Sequence, residues 1–316
     1  MTTENGRGSS RSGFLKQAAG ATLAVAGAGV GAGAVAQRAA AATGSGRFSL
    51  EIGGVNVGAI ASVDGGDPDF GVLLDPVGSD SIQRKHIGNP KFEDFTLAIG
   101  SGMGKPMYDW IQASFVDPTR PSFGGAIVGA DSNGNEKSRR EFTNALITEV
   151  TIPALDIFLP SGVPVRGTIS VKFSADSVAD VPGSGAPVQA AKHKAWLCSN
   201  FVLVIGGLDT SRVASIDSFT WKQSVQADGS VVLDAGNLGV TFPRASLPSW
   251  QRWYDNFAVG GDATDERNGT LELVGQDGTV LNLGLFNLGL YRLWPQPGYW
   301  AKAEMYCERL LPTVNK

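Results

Sequence analysis

The chain has 316 residues, 42% of them hydrophobic and 18% charged, with a formal net charge of −4. That is long enough for two ordinary domains and apolar enough to bury a core, which excludes disorder by composition. No basic stretch interleaves with aromatics, and the two His and two Cys do not cluster, which excludes charge-driven nucleic-acid binding and a Cys/His zinc site.

Residues 1–42 differ from everything after them. A polar start leads to S-R-S-G-F-L-K at Ser10 to Lys16, then an Ala/Gly/Val run to about Ala36, then Gln37, Arg38 and an A-x-A-like end at Ala40 and Ala42. This is the layout of an export leader. It resembles a twin-arginine signal, with core S-R-R-x-F-L-K. Arg11, Phe14, Leu15 and Lys16 match, and Ser12 stands in place of the second arginine. The expectation is an exported, extracytoplasmic protein beginning near Thr43. The alternative is a low-complexity tail on a cytoplasmic or virion-associated protein. The run is too rich in Ala and Gly to read as a stable membrane span.

From Arg47 the chain reads as short strands. Phe48, Leu50 and Ile52 alternate with polar residues, Gly53-Gly54 makes a turn, and Ile60 to Val63 is a second strand. A long Gly/Pro/Asp-rich loop, 65–91, follows. Its carboxylates Asp67, Asp69, Asp75 and Asp80 do not have calcium-loop spacing and read as solvated. His86, beside Arg84 and Lys85, lacks a partnered nucleophile pattern and reads as solvated or interfacial. A strand over Phe92 to Ile99, a short helix over Lys105 to Ser114, a hairpin from Ala126 to Asn144 and a strand over Gly167 to Ala175 complete this part.

The order then repeats. Phe48 to Asp64 and Phe201 to Asp217 align without a gap and are identical at about half their positions. Pro248 and W-Q-R-W-Y-D-N-F at Trp250 to Phe257 stand where the first helix stood, a hairpin runs from Leu271 to Asn287, and Ala301 to Leu310 alternates as a last strand. Two domains are therefore expected, 47–180 and 195–316, joined by a linker over 181–194. Cys198 and Cys307 both fall in the second domain; export permits a disulfide between them, and two buried thiols are the alternative. The Trp-rich segment reads as a core helix, with sugar stacking as the alternative.

These residues, in this order, resemble the contractile-phage tail tube protein family, which is related in fold to the type VI secretion tube protein. The resemblance rests on the F-x-L-E-I-x-G opening, on R-K-H-I-G-N-P-K-F-E-D-F-T-L-A-I-G from Arg84 to Gly100, on the Y-D-W-I helix and on F-T-N-A at Phe142 to Ala145. The second copy keeps the opening, helix and hairpin but lacks the basic run. The resemblance implies mainly β, β-sandwich or split-barrel domains with one helix each. It implies a non-enzymatic protein without cofactors that self-associates into rings or tubes, alone or with other tail or injection-system components. Arg84, Lys85 and His86 would then carry ring stacking. A tandem chain would close a pseudo-sixfold ring as a trimer. A secreted β-sandwich binding module, for glycans for instance, is the reading from another class.

Overall fold

The computed structural model describes residues 47–313 apart from 101–102, 117–121, 159–166, 189–195, 227, 229 and 276–277. The expected leader and His193 lie outside the described residues.

Alternating burial builds the first sheet. Leu50 and Ile52 in β1 (Arg47–Ile52) and Val57 and Ile60 in β2 (Val55–Asp64) face the core. Gly53 and Gly54 join the two strands at φ 57° and 79°, where a side chain would be strained. Between β2 and β7 (Phe95–Gly100) the long loop is a hairpin. Its base pairs β3 (Pro68–Asp69) with β6 (Lys91–Phe92), and farther out β4 (Val72–Leu74) pairs with β5 (Lys85–Ile87). Then come α1 (Lys105–Val116), β8 (Phe123–Ala130), the long β9 (Glu136–Ile152), β10 (Leu155–Asp156), β11 (Thr168–Ser174) and β12 (Ser177–Pro182).

β11 pairs on one side with β7 and on the other with β9, so β11–β7–β2–β1–β8–β9 closes on itself as a barrel. Closure pairs β11 on both sides and leaves the end of β9 beyond Ala145 free of β8. Phe95, Phe142 and Phe173 fill it, with Phe173 4.8 Å from Phe95 and 4.9 Å from Phe142 between ring centroids. Trp110 of α1 reaches the same cluster, 5.2 Å from Phe173. The expected linker does not start as free chain. β12 runs along β9, and Pro187 bridges to Asn135.

The second half holds β13 (Trp196–Ile205), β14 (Ser215–Ile216), β15 (Phe219–Val225), β16 (Val231–Asp234), β17 (Asn237–Pro243), α2 (Leu247–Tyr254), a π-helical turn (Asp255–Val259), β18 (Arg267–Gly275), β19 (Gly278–Pro295) and β20 (Trp300–Thr313). Its sheet runs β14–β17–β20–β19–β18–β13. The registers follow those of the first half. Leu50 lies opposite Ile127 as Leu203 lies opposite Leu271, and Val150 opposite Val171 as Leu293 opposite Ala303. Asn144 and Asn287, at matching places in β9 and β19, both have positive φ, 50° and 54°. One pairing differs. Among the described residues β13 does not pair with β14, so this sheet stays split where the first one closes. Among the described residues the structure is mainly β with two α-helices, the split-barrel class expected from the sequence.

Candidate assembly interface

The two halves exchange strands. β15 leaves the second half and adds to β9 of the first, with Phe219 opposite Ile152, Thr220 opposite Thr151, Trp221 opposite Val150 and Lys222 opposite Glu149. In return β10 of the first half adds to β14 of the second, and Ile157 N donates to Ala214 O at 3.0 Å. The first contact is well satisfied. Ser218 Oγ donates to Ile152 O at 2.8 Å, the Thr151 and Thr220 hydroxyls lie 2.7 Å apart, and Lys222 Nζ sits 3.2 Å from Glu149. On its inner face Val150, Ile152, Phe219 and Trp221 are buried, and Trp221 packs edge-on against Phe115 of α1 at 5.7 Å. The alternating F-T-W-K-Q-S-V of β15 was the available signal for this strand, within a segment that otherwise reads as loop.

The corresponding hairpin of the first half, β3 to β6, points away from the barrel. Phe70, Val72, Leu73, Leu74, Val77 and Ile82 are all exposed on it, and Ile87 is 74% exposed. So concentrated a set of exposed apolar side chains marks an interaction surface. Lys85 and His86 lie on β5 and Arg84 just before it, all exposed. Arg84 pairs with Asp80 at 2.7 Å and His86 Nδ1 lies 3.1 Å from Asp75. The loop carboxylates thus have local roles: Asp69 accepts from Gly71 N, and Asp67 pairs with Arg140 at 3.1 Å.

Arg140 is the anchor of the hairpin base. Its guanidinium is 4% exposed and reaches Asp180 of β12 at 2.7 Å as well as Asp67. Burial opposes its charge, but the bonds to Asp180 and Asp67 prevail and its pKa is raised. Next to it Arg139 joins Glu136 at 2.8 Å and Glu51 at 2.7 Å. The Arg139 hydrogen bond, helped by Ser184, holds the Glu136 carboxyl below its ordinary range against the cost of its burial.

Cys198 and Cys307 are both buried and free; no bridge joins them. Burial raises both thiols, and the Cys307 thiol lies against the carbonyls of Phe286 and Arg309. Trp250 and Trp253 are in the core. Trp250 stacks on Phe242 at 4.4 Å and Trp253 Nε1 donates to Asp265 O at 2.7 Å, so neither offers a face to a sugar. Among the described residues no group of three or more His, Cys, Asp or Glu is placed to hold a metal, and no helix is long and apolar enough to cross a membrane.

No protein-family model and no curated protein sequence matches the chain. Solved structures do. A chain of the PVC sheath–tube complex of an extracellular contractile injection system, in its extended state, is 22% identical over 43% of this chain and 88% of that one, with a TM-score of 0.35. The anti-feeding prophage cap that terminates the AFP tube gives 22%, 43%, 89% and 0.35. The PVC sheath/tube terminator in its extended state gives 20%, 43%, 93% and 0.35.

Proposed function

We propose that the protein is a non-enzymatic structural subunit of tail-tube type, built as two tandem domains over 47–180 and 195–316. Three chains close head to tail into a pseudo-sixfold ring, with other tail or injection-system components as its further partners. The observation that carries this reading is the strand exchange within the chain. A hairpin of the second half completes the sheet of the first, which is how sheets extend from subunit to subunit by strand addition. A contact of this head-to-tail kind closes into rings when its rotation allows. The chain makes one such junction internally, and its first hairpin is left exposed for another. The leader adds export as the route by which the assembly reaches its place.

The mass of the protein in solution and negative-stain images of it test the reading. The expected result is a species of three chain masses, alone or stacked, with a central opening. A strictly monomeric protein at micromolar concentration, without rings or tubes in images, would instead favour the secreted binding module. Terminal sequencing of the extracytoplasmic fraction tests the leader, with Thr43 as the expected first residue and intact Met1 throughout as the result that removes export.

A further inference from the structure

We propose that the base of the first hairpin, Gly66–Asp69, adds as an antiparallel strand to the edge of β19 at Arg292–Pro295 in a second copy of this chain, with Asp69 opposite Arg292. The proposal rests on the ring reading and names its chain-to-chain junction.

The internal junction supplies the template. Ile216 pairs with Val240 and Lys222 with Asp234; Val63 pairs with Leu97 and Asp69 with Lys91. Asp69 therefore stands in the first hairpin where Lys222 stands in the second. Val150 pairs with Val171 and Glu149 with Lys172, while Leu293 pairs with Ala303 and Arg292 with Glu304. Arg292 therefore stands in β19 where Glu149 stands in β9. Moving the internal register across places Asp69 opposite Arg292, Pro68 opposite Leu293 and Gly66 opposite Pro295.

The receiving edge is open. β18 accompanies β19 only as far as Leu288, and beyond it β19 pairs only with β20 among the described residues. In β9 the equivalent Val150 and Ile152 are fully buried under β15, whereas Leu293 is half-buried and Pro295 exposed. The donor is already ordered. Arg140 grips Asp67, Gly66 N donates to Glu93 O at 3.1 Å, and Glu93 N donates to Asp67 O at 2.9 Å. A preformed strand loses less entropy on docking.

Charge decides which edge each hairpin takes. Every charged residue at the internal junction has a counterpart of opposite sign. Lys222 on Glu149 becomes Asp69 on Arg292. Their neighbours Asp234 and Lys172 become Lys91 and Glu304. The correct pairings are both attractive. The first hairpin on β9, or the second on β19, would set like charges directly opposite, which destabilises a strand pair. The inversion forces the two junction types to alternate around a ring and blocks a register in which one hairpin displaces the other.

The full chain carrying Asp69→Cys, mixed with the full chain carrying Arg292→Cys, tests this with a short thiol-specific crosslinker and mass measurement. The expected product is a covalent dimer joined through residues 69 and 292, since the two native thiols are buried. Charge variants give its strength. Asp69→Lys and Arg292→Glu should each weaken self-association about five- to tenfold, and the double variant should restore it. A wild-type protein that assembles, with cysteine variants that assemble but give no such dimer, overturns this junction and leaves the ring reading standing. A wild-type protein that never assembles overturns both.

Discussion

Glu136 shows how single residues hold the molecule in shape. It is nearly buried beside the β8–β9 turn and takes hydrogen bonds from Arg139 and Ser184. Its folded pKa is lowered, so its stabilising contribution is fully present above the unfolded carboxyl value and is lost as pH falls through the folded one. Melting temperatures of the wild type and Glu136→Gln should differ most near neutral pH and converge on the acid side of about pH 4, the ordinary glutamate range. A difference that stays constant down to acid pH would show that the charge of Glu136 contributes nothing. The serine, arginine and carboxylate partners come from positions 51, 136, 139 and 184, and no local pattern in the sequence links them. The burial of Cys198 and Cys307 was foreseeable from their strands. That they stay unbridged was not, because it depends on how β13 and β20 pass through one sheet.

At the scale of elements, β15 carries the contact between halves. Trp221 is 2% exposed and packs against Phe115 and Phe219. Trp221→Ala should cost about 3–5 kcal/mol in chemical denaturation, the usual range for emptying a core aromatic site. A loss below about 1 kcal/mol would place the ring at the surface in solution and detach the hairpin from β9. Lys222→Ala, on the solvent side of the same strand, should cost less than about 1 kcal/mol, because that pair is open to water. Strands of period two were legible in the sequence, as were both helices and the first glycine turn. The closing of the first barrel was not, since it depends on β11 meeting both β7 and β9 across long separations. Nor was the length of β9, which runs eight residues past the expected hairpin end at Asn144 to where β11 and β15 flank it. In the long loop the sequence offered Gly, Pro and Asp, which read as irregular chain. The pairing of Lys85–Ile87 with Val72–Leu74 is held by backbone bonds that composition does not reveal.

For the whole molecule the two hairpins have diverged in what they leave exposed. The second is spent inside the chain. The first extends past its base to an outer part where Arg84, Lys85 and His86 stand among exposed apolar side chains, with Asp80 beside Arg84 and Asp75 beside His86 balancing their formal charge. In a ring of three chains this tip occurs once per chain and not once per domain. Any stacking of ring on ring that uses it should therefore alternate strong and weak contacts, with threefold rather than sixfold order. Replacing Arg84 and Lys85 with Glu turns this charge-balanced tip strongly acidic at exposed positions, outside the Asp69 contact and outside the core. Single rings should persist at the wild-type mass while stacks shorten or vanish, and salt should weaken wild-type stacking in the same direction, because exposed charges are screened within about 10 Å at 0.1 M ionic strength. Images of stacks as long as those of the wild type would remove this tip from the stacking contact. Loss of the ring itself would instead place Arg84 and Lys85 in the junction between neighbouring chains.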